Sequence, residues 1–248
     1  MTLVKICGLR DPATAIEAAK AGADMIGIMF AESRRKVTPQ ECYDLCEAVR
    51  AFERRNPPPA GFQGPVAGEV RGLGWFGAWS EAISEAAMRW RPLIVGVFAD
   101  QPVNEVNEIA EAAGLDLVQL SGGEDWEYAR QVVRPVIAAL HVTEGTTGDS
   151  LLDRAQEYRT AGLLLDTGIA GAHGGTGTPF NWDVAQELAQ RVPFLLAGGL
   201  TPENVAAAVD QVEPWGVDVS SGVETGGIKD IEKIRAFLRA AKGVRVAR

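Results

Sequence analysis

A (β/α)8 barrel, the TIM-barrel architecture, is the fold this sequence predicts, and three observations predict it. Short, nearly continuous apolar runs alternate with Ala-, Glu- and Leu-rich helical segments from end to end. Eight such runs fall within 248 residues, the size of a single barrel domain. Glycine-rich segments follow several of the runs, where the βα loops of a barrel meet their ligand. An open doubly wound sheet shows the same alternation, and counting elements does not separate the two.

The candidate strands, in order, are Leu3–Cys7, Met25–Phe30, Leu93–Phe98, Leu117–Leu120, Val136–His141, Leu163–Asp166, Phe194–Ala197 and Val217–Ser220. Apolar residues at nearly every position suit strands covered on both faces. Helical segments lie between them, among them Ala13–Ala21, Pro102–Ala113 and Pro202–Val212. Asp11-Pro12 has the N-cap and N1 chemistry of a helix start. Thr38-Pro39-Gln40-Glu41 adds a capping box, and Thr201-Pro202 repeats the cap-plus-proline signal.

One stretch breaks the rhythm. From about 55 to 91, between the second helix and the third strand, the chain runs through Asn56-Pro57-Pro58-Pro59, a Gly-rich patch and the cluster Trp75, Phe76, Trp79. Ile83, Ala87 and Trp90 then recur at helical spacing over Ser80–Trp90. This is an irregular insertion within one domain spanning 1–248, ending in an amphipathic helix whose aromatics cover the barrel.

Composition narrows the function classes. The hydrophobic fraction of 46% and charged fraction of 23% are those of a globular protein. A net charge of −9 argues against a nucleic-acid surface. No run reaches the ~18 apolar residues of a membrane span, and the N-terminus enters a strand without the pattern of a signal peptide. Cys7, Cys42 and Cys46 form neither a disulfide framework nor a paired zinc pattern, so a reducing, cytoplasmic setting is expected. Cys42 and Cys46 share a helix face, yet no further ligand stands near them, and no metal is expected.

Barrel chemistry concentrates at the carboxyl ends of the strands. The first strand ends in Cys7, which by itself reads as a buried small hydrophobe. The second runs into the basic loop Ser33-Arg34-Arg35-Lys36. The sixth ends in Asp166, after Leu163-Leu164-Leu165. Desolvation there would raise its pKa and suit it as an acid, although a loop-capping aspartate fits the position equally. Three glycine-rich loops close the chain: Gly174-Gly175-Thr176-Gly177, Ala197-Gly198-Gly199 and Ser220-Ser221-Gly222. Successive amides in such loops cradle phosphate oxygens, which points to a phosphorylated small molecule and gives Cys7 a chemical neighbourhood. Asp218 lies within the last strand, and His141 and His173 have no evident carboxylate partner, so none of the three is assigned a role.

Lys5-Ile6-Cys7-Gly8, Gly22-Ala23-Asp24 with Gly27, Ser33-Arg34-Arg35, Gly96-Val97-Phe98, Val118-Gln119-Leu120, Leu165-Asp166, Gly174–Gly177, Ala197–Val205 and Val217–Glu224 occur in one order. Together they resemble the phosphoribosylanthranilate isomerase family over nearly the whole chain outside the insertion. The resemblance implies a barrel that converts N-(5′-phosphoribosyl)anthranilate to 1-(2-carboxyphenylamino)-1-deoxyribulose 5-phosphate, in tryptophan biosynthesis, without a cofactor. It implies Cys7 as general base, Asp166 as general acid, and Arg35 on the anthranilate carboxylate. It assigns Gly175, Gly177, Gly198, Gly199, Ser220, Ser221 and Gly222 to the phosphate. A monomer or homodimer is the expected state.

The resemblance has one departure. The family usually reads Gln-Leu-His-Gly after the fourth strand, and here Gln119-Leu120-Ser121-Gly122 stands in its place. Two competing readings follow. One is another phosphate-handling barrel, built on two aspartates or a lysine–glutamate set; the other is a catalytically silent barrel that uses the tryptophan-rich insertion as an interface.

Overall fold

Strand β1 (Leu3–Cys7) pairs in parallel with β2 (Met25–Met29) on one side and with β8 (Gly216–Val219) on the other. Between β2 and β8 lie β3 (Leu93–Phe98), β4 (Leu117–Leu120), β5 (Val136–Val142), β6 (Gly162–Thr167) and β7 (Leu195–Leu196). Each pairs with its chain neighbours, which closes a barrel of order β1-β2-β3-β4-β5-β6-β7-β8 and rules out the open sheet. The computed structural model describes residues 2–52, 64–65, 70, 72–90, 92–167 and 181–243.

The helices are α1 (Pro12–Lys20), α2 (Pro39–Phe52), α3 (Gly74–Trp90), α4 (Val103–Ala112), α5 (Trp126–Ala129), α6 (Gly148–Glu157), α7 (Trp182–Ala189), α8 (Val205–Val212) and α9 (Ile231–Gly243). Asp11 caps α1 by accepting from the Thr14 amide at 2.8 Å. Thr38 and Glu41 form the anticipated reciprocal cap of α2, with Glu41 N–Thr38 Oγ1 at 3.2 Å and Thr38 N–Glu41 Oε2 at 2.7 Å. The third cap differs. Pro202–Asn204 form a turn, and α8 begins only at Val205, whose amide donates to the Thr201 carbonyl at 3.0 Å.

Strand alternation divides the apolar residues into two layers. Val4, Ile6, Ile26, Ile28, Leu163, Leu165, Val217 and Val219 pack outward against helix residues such as Ala15, Ala18 and Phe237. Leu3, Met25, Leu93, Leu117, Ile137 and Leu164 form the inward layer. Most of these stand at strand starts, so the apolar interior fills the amino-terminal half of the barrel.

Helix α3, from the insertion, closes that end. Its Ile83, Ala86 and Ala87 join Leu3, Leu93 and Leu117, and Ser84 Oγ accepts from Trp215 Nε1 at 3.0 Å. Trp75 Nε1 donates to the carbonyls of Thr160 at 3.0 Å and Arg159 at 3.1 Å. The helix starts six residues before the sequence reading placed it and takes in the whole aromatic cluster, which packs on the barrel. Much of 55–73 lies outside the described residues.

Candidate active site

Counting upward along the inward faces, apolar residues give way to polar ones. On β1, Leu3 is followed two and four residues later by Lys5 and Cys7; on β8, Gly216 is followed by Asp218. On β5 and β6, Ile137 and Leu164 lead to His141 and Asp166, which stand opposite each other in the strand register. The upper half of the barrel interior is therefore built for polar chemistry.

Lys5 is wholly buried, and its Nζ donates to Asp218 Oδ1 at 2.9 Å. Burial alone would lower the Lys5 pKa, but Asp218 and Cys7 outweigh it and hold the ammonium above its ordinary range. Cys7 is a buried free thiol. Burial pushes its pKa up, Lys5 pulls against that, Asp218 adds to it, and Lys229 pulls it down again. Gly27 of β2 makes room for this group. A Cβ there would lie 2.8 Å from Cys7 Sγ and 3.1 Å from Lys5 Nζ, closer than real Cβ contacts allow.

Asp166 is mostly buried, and its Oδ1 accepts from the Thr167 amide at 2.8 Å. Burial first, and the nearby Asp218 charge second, push its pKa up to about 6. Gly198, at φ 83°, holds the neighbouring loop against this carboxylate. A Cβ at Gly198 would lie 2.8 Å from the Thr167 amide nitrogen and 3.2 Å from Asp166 Oδ1.

Asp166 and Asp218 line one small cavity of about 40 Å³ with Gly198, Gly199, Ser220, Ser221 and Gly222. Asn204 braces it, donating to the Gly199 carbonyl at 2.9 Å and accepting from the Thr201 amide at 2.7 Å. The backbone of Gly199, Ser221 and Gly222 lines this cavity, where amides can receive an anion. Gly175 and Gly177, with the rest of the third glycine loop and His173, lie outside the described residues.

Arg35 stands at a second, larger cavity of about 300 Å³, with Gly8, Arg10, Arg34, Glu224 and Lys229. Its Nε donates to Glu224 Oε1 at 2.6 Å and its Nη2 to Glu224 Oε2 at 3.2 Å. Arg34 reaches the same carboxylate at 2.5 Å and Lys229 at 3.0 Å. Burial would raise the Glu224 pKa, but the Arg35 hydrogen bond and Lys229 hold it below the usual range. Lys229 also donates to the Ser220 carbonyl at 2.8 Å, and Ser220 Oγ to the Cys7 carbonyl at 3.3 Å. The short hairpin of β9 (Glu224–Thr225) and β10 (Ile228–Lys229) thus ties the two cavities together.

Sequence reasoning assigned no role to Lys5, Gly27, Asp218, Glu224 or Lys229. One signal was there to be read: Lys5 and Asp218 sit two residues before Cys7 and Ser220, on the same inward faces. Ser121, at the departure from the usual family pattern, accepts from Gln119 Nε2 through its Oγ at 2.9 Å. The imidazole of His141 approaches the same residue, Nε2 lying 3.2 Å from the Ser121 carbonyl oxygen. Cys42 and Cys46 lie buried on α2 with their Sγ atoms 3.8 Å apart, away from the mouth.

A barrel whose mouth sets a carboxyl with its pKa raised to about 6 and a buried thiol beside glycine-lined loops defines an acid–base barrel enzyme for a small anionic substrate. The sequence profile of N-(5′-phosphoribosyl)anthranilate (PRA) isomerase matches residues 78–240. An N-(5′-phosphoribosyl)anthranilate isomerase of Dehalococcoides mccartyi is 38% identical over 247 residues, covering 98% of this chain and 96% of its own. The crystal structure of phosphoribosyl anthranilate isomerase from Thermotoga maritima superposes with a TM-score of 0.71 at 29% identity, over 98% of this chain and 100% of that one. A further structure of such an isomerase, in complex with reduced 1-(o-carboxyphenylamino)-1-deoxyribulose 5-phosphate, gives 0.69 at 28% identity over the same shares. The chain belongs to the phosphoribosylanthranilate isomerase family.

Proposed function

We propose that this barrel mouth catalyses the Amadori rearrangement of N-(5′-phosphoribosyl)anthranilate to 1-(2-carboxyphenylamino)-1-deoxyribulose 5-phosphate, with Asp166 as general acid and Cys7 as general base. The observation that carries this reading is Asp166 itself. Its pKa of about 6 keeps a share of the carboxyl protonated near neutral pH. That proton passes to the furanose ring oxygen as the C1′–O bond breaks, leaving a Schiff base. Cys7 thiolate then removes the C2′ proton, and the resulting enolamine tautomerises to the ketose. This is an aldose–ketose isomerisation within one molecule, and its atoms balance without a co-reactant.

The remaining assignments follow the two cavities. Arg35, beside Arg10, Arg34 and Lys229, holds the anthranilate carboxylate. Gly198, Gly199, Ser220, Ser221 and Gly222 hold the phosphate, and the family resemblance adds Gly175 and Gly177, which lie outside the described residues. Anchoring the two ends of the substrate fixes the sugar between acid and base, a positional gain. The relative with the reduced deoxyribulose phosphate bound supports a ligand of this class. The reading treats 1–248 as one catalytic domain that works in the cytoplasm as a monomer or homodimer. Among the described residues, no helix is long and apolar enough to cross a membrane.

The test is loss of anthranilate fluorescence with freshly generated substrate. The wild-type protein is expected to turn over, and Cys7→Ala and Asp166→Ala each to lose at least ~10²-fold in kcat while keeping fold and phosphate affinity. Near-normal turnover in either variant would overturn the assigned roles.

A further inference from the structure

Lys5 and Asp218 are the charged pair at the centre of the polar layer, and the reaction as derived uses neither. Lys5 has no exposed surface, and Asp218 is 8% exposed. Two charges are costly to place in a barrel interior, and breaking such a pair leaves an uncompensated one. The two residues also touch different parts of the mouth. Lys5 Nζ and Cys7 Sγ crowd the same point beside Gly27, where an added Cβ would lie 3.1 and 2.8 Å from them. Asp218 lines the small cavity with Asp166. One ion pair therefore spans the distance between base and acid, its ammonium toward the thiol and its carboxylate toward the acid.

We propose that the Lys5–Asp218 pair positions charge for both steps: its ammonium end steadies the Cys7 thiolate, and its carboxylate end keeps the proton on Asp166. The proposal rests on the acid–base reading above. A thiolate forming at Cys7 would otherwise face the Asp218 carboxylate with only Lys229, itself paired to Glu224, to offset it. The charged and titratable groups facing Cys7 are Lys5 from β1, Asp218 from β8 and Lys229 from β10. Those facing Asp166 are Asp218, His141 from β5 and Lys5. Lys5 and Asp218 are positioning residues: each acts through a group that touches the substrate.

Removing either end should move the Cys7 thiol in opposite directions, which a merely structural role would not do. The experiment follows ultraviolet thiolate absorbance against pH in Lys5→Met and Asp218→Asn, each as a difference from its own Cys7→Ser background. The midpoint is expected to rise by at least ~1 pH unit in Lys5→Met and to fall in Asp218→Asn. Lys5→Arg should restore the wild-type midpoint. In turnover, Lys5→Met should lower kcat at least ~10-fold with KM held within ~3-fold. Asp218→Asn should move the acid limb of kcat/KM to lower pH. If Lys5→Met fails to fold, Lys5→Met/Asp218→Asn carries no unpartnered charge and is compared with Asp218→Asn alone. Thiol midpoints that do not move, or move the same way in both variants, would overturn the proposal. Full turnover by Cys7→Ala would instead overturn the acid–base reading, and the thiol titration, needing no turnover, keeps the two failures apart.

Discussion

Arg35 and Glu224, 189 residues apart in the chain, meet in a two-pronged ion pair at the rim of the barrel, with Nε–Oε1 at 2.6 Å. Glu224 also gathers Arg34 and Lys229, so one carboxylate holds three cations in place at the larger cavity. The arrangement orients Arg35 and leaves the cavity with a cationic surplus for an anionic ring substituent.

Replacing Glu224 with Gln keeps the shape and removes the charge that orients Arg35. A charge-assisted bond of this kind contributes ~1.5–3 kcal/mol. Steady-state kinetics should show KM raised ~10-fold, with kcat within ~3-fold of wild type. A lowered kcat at unchanged KM would move Arg35 from binding to chemistry.

The pH dependence of turnover follows from Asp166 and Cys7. Asp166 sits at about 6, and Cys7 lies above its ordinary 9.0. The active form, thiolate with protonated carboxyl, carries the same number of protons as the dominant form, thiol with carboxylate. Their ratio is therefore constant between the two pKa values. kcat/KM should be flat from about pH 7 to 9 and fall below about pH 6 as the pair gains a second proton. A rate that keeps rising below pH 6 would contradict this.

Asp166 should also reduce stability at neutral pH. Its folded pKa of about 6 lies above the ordinary 3.8, so the unfolded chain ionises first. The stability linked to this proton is fully present below pH 3.8 and is lost as pH rises through about 6. The loss amounts to as much as ~3 kcal/mol. Asp166→Asn, which can still accept from the Thr167 amide, should therefore raise the urea midpoint at pH 8 and leave it nearly unchanged at pH 4. Equal shifts at both pH values would assign the effect to packing.

Gly27→Ala is the steric probe of the thiol. The added Cβ would press on Cys7 Sγ at 2.8 Å. Displacing a fixed core group costs ~1–3 kcal/mol. Circular dichroism should show a folded barrel, and kcat should drop at least ~10-fold. Unchanged turnover would show that the thiol position tolerates movement.

Ile83→Ala tests the opposite end. Ile83 is fully buried where α3 seals the barrel floor, away from the mouth. Denaturation should show a loss of ~2–5 kcal/mol, with kcat/KM within ~2-fold of wild type. A large kinetic effect at equal folding would link the floor to the site.

Residue order was enough to read the alternation of strands and helices, the caps at Asp11 and Thr38, and the placement of Cys7, Asp166 and the Gly198-Gly199 and Ser220–Gly222 loops at strand ends. These are local matters: apolar periodicity and capping act over a few residues and show in the order of side chains. Tertiary structure alone decided that β1 closes on β8, that α3 seals the floor, and that α8 starts after the Thr201-Pro202 signal. It also decided the charge environment of the site. Lys5 and Asp218 meet across 213 residues, and that meeting joins the cation beside Cys7 to the carboxylate beside Asp166. A pKa depends on burial and on neighbours in space, and no local pattern encodes either.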